Sequence, residues 1–544
     1  MSIQQFSRRY GWLAFLIPLT VAVAIRAYLY HLPGITADGH IFLQIARNIR
    51  YGIGLGWQGG WVPPFHSVLI SLTSQLPGVA DIQAAAGLVS ISMGVLVPLV
   101  VYALAVAVFN RTIAVASATL VAVFPHFIFM SFSPESEITY TMLQLASLAL
   151  LLASIKRSSI LLAALAGTFF SMAYMARSEG FLVMVMVLAL LCLAEGLYFY
   201  RTSIFRLSAV VLVAFFVVSS PYLLFLKKEY GAFVISPKST YVLIWMQSRI
   251  YHDNDKGETG NEDLWGLSAD GRLKWQRPSG LRDVAAYLMT HPAKSLQVYL
   301  HNLSTEMPGN IPNNSGCQHY PQVYPIYIVI PCLLMAFCRW GEYSTQKKII
   351  LLSPLLLLLI LPVFTDGWWR YLAPYAPLLV IGGCAGIYEA ARKAAVHCSV
   401  PAPRAAAVTC LAFSAALSLH YVTLTAVAPD APVSANVSDR LLFAEETQKA
   451  AEMASRTFGP GRNYMVRWNK MIYYLDGLWT AEPVADYFSQ LQYARRNGAE
   501  YIVKEIYADV SDNDLMATPP GIKLAGVYRS ERISYGVAYY RILY

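Results

Sequence analysis

Eleven apolar runs recur along the first 427 residues, near 12–32, 80–109, 112–130, 137–155, 159–176, 180–199, 207–226, 322–338, 349–364, 371–391 and 405–427. Most reach the ~20 residues an α-helix needs to cross ~30 Å of hydrocarbon. Lipid offers no partner to backbone N–H and C=O groups, so such runs must satisfy them internally, as helices. The composition agrees: 56% of residues are hydrophobic and only 13% are charged, too apolar for a soluble domain. The expected fold class is a polytopic α-helical membrane protein of about eleven spans. Arg8 and Arg9 precede the first run as in a signal peptide. No small-residue cleavage site follows, so an uncleaved first span is expected.

Lysine and arginine gather in every second connection: Arg111, Lys156–Arg157, Arg201 with Arg206, Arg339 with Lys347–Lys348, and Arg392–Lys393 with Arg404. By the positive-inside rule these connections and the N-terminus face the cytoplasm, and an odd number of spans puts the C-terminus outside. The net charge of +9 is thereby explained by anionic lipid at the inner leaflet, without nucleic acid. Of the seven cysteines only Cys317 falls in a segment placed outside, which excludes an exported disulfide framework.

Three stretches are expected outside: 33–79, 227–321 and everything after about 428. In the first, Ile41, Phe42, Ile45, Ala46 and Ile49 recur at helical spacing against Gln44, Arg47, Asn48 and Arg50, an amphipathic helix along the outer interface that ends at "YGIGLGW". "PPFHSVLISL" then starts an apolar stretch too short to span, stopped at Pro77-Gly78. In the long loop, "LRDVAAYLMTHPAKSLQVYLHNL" has helical spacing broken at Pro292. The last stretch is polar and mixed. "RNYMVRW", "AEYIVKEI" and "YGVAYYRILY" read as strands and "DYFSQLQYARRNG" as a helix stopped by Asn497-Gly498. Residues 1–427 are thus expected to form the membrane domain, and 428–544 a small periplasmic α/β domain.

Candidate functional charges stand at the outer ends of the spans: Asp38, Glu135 and Glu137 in "FSPESEI", Arg177 and Glu179 in "MARSEGF", Lys227, Lys228 and Lys238 in the long loop, and Arg370 in "DGWWRYLAPYAP". Each also has a structural explanation. Asp38 suits an N-cap, Glu135 or Glu137 a first helical turn, Arg177 and Glu179 a mutual pair, and Arg370 beside Trp368 and Trp369 an interfacial anchor. Their convergence on one side of the membrane favours function, because ionisable groups near hydrocarbon are costly unless they meet one another or a substrate. Carboxylates beside cations at headgroup depth suit transfer from a lipid phosphate. The phosphate departs as an anion and needs cations, while a hydroxyl acceptor needs a base.

"ITADGHIFLQIARNI" followed by "PPFHSVLISL", together with "FSPESEI", "ARSEGFL" and "WRYLAPYAPLLV", resembles the GT-C superfamily, in its protein O-mannosyltransferase and aminoarabinose transferase branch (glycosyltransferase family 39), over almost the whole chain. The resemblance implies a GT-C fold, a catalytic carboxylate at Asp38, a second acidic position at Glu135 with Glu137 as rival, and a lipid-phosphate contact at Arg370. Further lipid-phosphate or donor contacts are expected at Arg177, Lys227, Lys228 and Lys238, and at His66 and Tyr371, which stand in the family's Pro-Pro-x-His and Arg-Tyr segments. Many relatives carry a second acid after the first aspartate, where this chain has Gly39, so a divalent cation is left Asp38, His40 and Glu135 as candidate ligands.

The expected activity is a hexosyl- or pentosyltransferase of the bacterial inner membrane. A polyprenyl-phosphate sugar is the donor, and a lipid, glycan or protein hydroxyl is the acceptor, which attacks the donor's anomeric carbon in a single displacement with inversion. The competing readings are a secondary transporter, against which stand the interfacial charges and the lack of repeated halves, and a polysaccharide ligase or polymerase sharing the donor.

Overall fold

The computed structural model describes residues 11–29, 39–56, 58–79, 81–193, 202–237, 266–269, 271–273, 281–301, 325–338, 344–360, 369–398, 401–427, 435–466, 474–475, 477–506 and 510–544. The first run forms α1 (Leu16–Tyr28), and the connection after it carries α2 (Gly39–Arg50), the short α3 (Gln58–Trp61) and α4 (Phe65–Thr73). Next come α5 (Ile82–Val108), α6 (Arg111–Val123), α7 (Pro125–Ser131), α8 (Glu137–Arg157), α9 (Ile160–Ala176), α10 (Glu179–Leu191) and α11 (Thr202–Tyr230). The long loop holds α12 (Leu281–Thr290) and α13 (Pro292–His301), with Pro292 opening the second of them. Beyond lie α14 (Ile326–Cys338), α15 (Thr345–Ile360), the short α16 (Trp369–Leu372), α17 (Ala376–His397) and α18 (Ala402–Val427).

Among the described residues, each of the eleven apolar runs carries helix. Among the described residues five helices are long and apolar enough to cross a membrane alone, or six if α6 and α7, bent by 57° at Phe124, count as one span. Helix starts follow local caps: Asp81, Asn110 and Ser159 accept hydrogen bonds from Ala84, Ile113 and Leu162 N–H at 2.7, 3.0 and 3.3 Å. In the bundle α8 packs between α5 and α9, α9 between α8 and α11, and α6 against α1, α5, α17 and α18. Gly167 lets α9 approach α11, since a Cβ there would strike the Val211 carbonyl.

The break between α6 and α7 is held by a buried cation that the apolar first run conceals. Arg26 of α1 is 1% exposed and donates to Ser131 Oγ at 2.9 Å and to the carbonyls of Ala122 and Phe127 at 3.0 and 3.4 Å. Its planar fork reaches the Ala122 carbonyl before the bend and the Phe127 carbonyl after it, which also accepts from Ser131 Oγ. Gly94 of α5 makes room, because a Cβ there would press on Ser131 Oγ and Arg26 Nε.

The C-terminal residues form α19 (Ala435–Phe458), β1 (Arg462–Val466), β2 (Gly477–Ala481), α20 (Tyr487–Arg496), β3 (Tyr501–Ile506), α21 (Asp512–Met516), β4 (Ile522–Arg529) and β5 (Gly536–Ile542). The sheet order is β2-β1-β3-β5-β4, parallel through β3 and antiparallel beyond. β1, α20, β3 and β5 fall where the sequence expects them. β2 is only five residues long, and the alternation of β4 is interrupted by a register shift between Leu524 and Gly526, so neither has a clear signature.

The amphipathic helix α2 does not lie open along an interface. Ile41, Phe42 and Ile45 pack with Ala450, Ala454, Trp479 and Tyr539 of the C-terminal domain, while Leu43 and Ala46 pack with Ile70 of α4 and Ala85 and Val89 of α5. A parallel bridge joins Gly266 of the long loop to Val484. The three segments expected outside therefore meet on one side of the bundle. For the Arg26 joint, Arg26→Leu takes the buried donor from the Ala122 carbonyl, at about 1–3 kcal/mol. Unfolding in detergent is expected to show lowered stability, and an unchanged midpoint would contradict the role given to Arg26.

Candidate active site

Five segments of chain converge at the ends of α8, α9 and α16. The turn before α8 supplies Glu135 and Ser136, and Glu137 opens the helix. The two-residue turn between α9 and α10 supplies Arg177 and Ser178, with Glu179 opening α10; α16 supplies Arg370 and Tyr371. Phe42 of α2 and Trp61, Val62 and Pro63 close the other wall of a small cavity of about 40 Å³.

Arg177 grips two carboxylates, Glu137 Oε1 at 2.5 Å and Glu179 Oε1 at 3.0 Å, with its side chain 11% exposed. Desolvation works against its charge, but Glu179 and Glu137 outweigh this and hold the proton more firmly than usual. Arg370 stands farther from its acids, 3.6 Å from Glu135 Oε2 and 3.8 Å from Glu137 Oε1, with a side chain 15% exposed. Tyr371 lies between the two guanidinium groups, its ring centroid 4.8 Å from Arg177 Cζ and 5.4 Å from Arg370 Cζ. Glu137 Oε2 is buried without a hydrogen-bond partner. Arg177 is thus clamped between two carboxylates, and Arg370, which lines the same cavity, faces two carboxylates at longer range.

The other sequence candidates stand apart. His66 in α4 is fully buried beneath the turn that carries Glu135: its Nδ1 is 2.9 Å from Thr139 Oγ1 and its ring meets Phe42 edge-on at 5.5 Å. It props the acidic turn and is not among the residues lining the cavity. Burial lowers its pKa to about 4, opposed by the backbone of Pro134. His40 is buried with its ring centroid 6.1 Å from that of Trp479 in the C-terminal domain. Lys227 and Lys228 are exposed at the end of α11, Lys227 over the Phe233 ring at 4.5 Å. Asp38 and Lys238 lie outside the described residues. Among the described residues no three His, Cys, Asp or Glu side chains form a group that could hold a metal ion. Sequence reasoning missed Phe42 and Trp61 as cavity walls, though Trp61 stands directly before the Val-Pro-Pro turn it shares.

Residues 62–224 match the family model described as dolichyl-phosphate-mannose-protein mannosyltransferase. The whole chain is similar in structure to ArnT from Cupriavidus metallidurans bound to undecaprenyl phosphate, with a TM-score of 0.52, 12% identity, and coverage of 97% of this chain and 98% of that one. The chain has the GT-C fold. The oligosaccharyltransferase from Archaeoglobus fulgidus tethered to an acceptor peptide aligns at a TM-score of 0.57 and 15% identity, covering 92% of this chain and 70% of that one. The same archaeal enzyme, AglB, with an inhibitory peptide and a dolichol-phosphate, aligns at 0.55 and 14% identity over 92% and 69%. No curated protein matches in sequence.

The burial of His66 gives a pH dependence with a definite sign. Above its ordinary value of 6.5 the ring is neutral whether the chain is folded or not. As the pH falls from 6.5 toward 4, the unfolded chain takes up a proton that the folded chain refuses, so stability is lost across that window. The midpoint of wild-type unfolding in detergent should fall more steeply between pH 7 and pH 5 than that of His66→Asn. Parallel profiles would show that His66 does not carry this term.

Proposed function

We propose that this chain transfers a sugar from a polyprenyl-phosphate-linked donor to an acceptor hydroxyl at the outer face of a membrane, in one displacement that inverts the anomeric centre. The observation that carries the reading is the meeting of two guanidinium groups with Glu135, Glu137 and Glu179 at one cavity. Arg177 is bound to Glu137 and Glu179 at 2.5 and 3.0 Å, and Arg370, on the cavity wall and 3.6 and 3.8 Å from Glu135 and Glu137, is assigned to the phosphate. A planar guanidinium takes two phosphate oxygens at once, which suits a leaving group that departs as an anion. The likeness to solved structures holding undecaprenyl phosphate and dolichol-phosphate supports a lipid-phosphate donor.

The base is assigned to Asp38, which in the sequence directly precedes Gly39, the first residue of α2. Phe42, on the first turn of that helix, lines the cavity. The acceptor hydroxyl gives its proton to the carboxylate, its oxygen bonds to the anomeric carbon, and the bond from that carbon to the phosphate oxygen breaks with its electron pair going to the phosphate. The polyprenyl phosphate so released is held by Arg370. Glu135 and Glu137 hold Arg370 between turnovers, and Lys227 and Lys228 are given no contact. Whether the donor sugar is a hexose or a pentose is a choice of the same site.

Transfer by the purified protein from a labelled polyprenyl-phosphate sugar tests these roles. Asp38→Asn keeps a side chain that caps a helix about as well and removes the base, so turnover should fall by about 10²-fold or more. Arg370→Lys keeps the charge and loses the fork, so KM for the donor should rise. Near-normal transfer by a folded Asp38→Asn protein would return that residue to a capping role.

A further inference from the structure

A second cavity, about 280 Å³, lies between α2, the turn after it, and the edge of the C-terminal sheet. It shares no lining residue with the charged cavity, and its chemistry is different. Its walls are rich in amides and hydroxyls: Gln44 and Asn48 of α2, Gln58 of α3, Asn463 of β1 and Thr480 of β2, with Trp479 beside them. Among the described residues no lysine or arginine lines it, and the one charged lining residue is the exposed Glu229 at the end of α11.

Two features point to a ligand. Gln44 and Gln58 are 1% and 2% exposed, and each keeps a side-chain carbonyl oxygen without a hydrogen-bond partner. A buried amide oxygen left unpaired costs roughly 1–3 kcal/mol, which a hydroxyl donor in the cavity would recover. Several of the remaining amides are fixed in direction. Gln44 Nε2 donates to Asn48 Oδ1 at 3.3 Å, Thr480 Oγ1 to Asn463 Oδ1 at 2.9 Å, and Asn463 Nδ2 to the Asn497 carbonyl at 3.0 Å. The volume far exceeds the roughly 10–15 Å³ that one water needs and sits at the small end of ligand pockets, of roughly 300 Å³ and upward.

We propose that this cavity is a subsite for one uncharged or amino sugar of a glycan acceptor. Fixed amides and hydroxyls with an aromatic neighbour suit a ring that carries many hydroxyls, and none of the described lining residues is a cation that would favour a phosphate or carboxylate there. α3 joins the two sites, with Gln58 on this cavity and Trp61 on the charged one, and α2 does the same with Gln44 and Phe42. The place of this subsite on the acceptor side rests on the transfer reading above; the binding of a sugar does not.

The test is saturation-transfer NMR on the full-length protein in detergent, with glucose, N-acetylglucosamine, glucosamine and glucose 6-phosphate as probes. Saturation should reach at least one of the first three at millimolar concentration and not glucose 6-phosphate. Leu478, a lining residue 44% exposed, allows the cavity to be filled from its edge. Leu478→Trp should reduce the sugar signal at least fivefold with the unfolding midpoint kept, and Gln44→Leu, which removes an unpaired oxygen, should do the same. Failure of the folded wild type to bind any of the three sugars, a preference for glucose 6-phosphate, or an equal signal in both variants would overturn the proposal. Polyprenyl phosphate binding by the same wild-type sample is read separately, so loss of lipid binding with sugar binding intact would strike the transfer reading alone.

Discussion

One carboxylate, Glu137, ties the charged site together. It bonds Arg177 at 2.5 Å, stands 3.8 Å from Arg370, and opens α8, so three membrane-helix ends depend on its position. Such a group is costly to bury near hydrocarbon, and removing one partner of a buried pair costs about 3–5 kcal/mol because a charge is stranded. Two guanidinium groups and three carboxylates, Glu135, Glu137 and Glu179, hold one another in place. The structure of the bundle ends is therefore set by electrostatic pairing, as its middle is set by apolar packing.

The second constraint is the burial of α2 on both sides. Had it floated at an interface, Phe42 would have had no fixed relation to Glu137 and Arg370 on the cavity they share. Clamped by Ile41, Phe42 and Ile45 to the C-terminal domain and by Leu43 and Ala46 to α4 and α5, it is a rigid mount. Its polar residues Gln44 and Asn48 then face a cavity and not bulk water. This explains why an apparently simple amphipathic pattern carries two chemistries, an apolar wall at Phe42 and hydrogen-bonding amides one step around the helix.

Much of this was legible in the sequence, where long-range contact was not needed. Apolar length predicted the helices; of the charges the sequence groups on one side, the fold brings Glu135, Glu137, Arg177, Glu179 and Arg370 together, leaves Lys227 and Lys228 apart, and Asp38 and Lys238 lie outside the described residues. Arg26 was invisible because its partners, Ser131, Ala122 and Phe127, lie about a hundred residues on, and an arginine within an apolar run reads as an end effect. The amide cavity was invisible for the same reason: Gln44 and Thr480 belong to separate domains and meet only after α2 docks. His66 shows the opposite limit. A motif position suggested contact with the donor, and the fold places the ring beneath the acidic turn, where it supports the residues that do line the cavity.

The central claim is that a lipid phosphate displaces carboxylates from Arg370, and a structure of the full chain with bound polyprenyl phosphate tests it most directly. The account predicts phosphate oxygens within hydrogen-bond distance of Arg370, about 2.7–2.9 Å, with Glu135 moved off and the pair of Arg177 with Glu137 intact. Phosphate found elsewhere, for instance on Lys227 and Lys228, with Arg370 still facing Glu135 and Glu137, would contradict it.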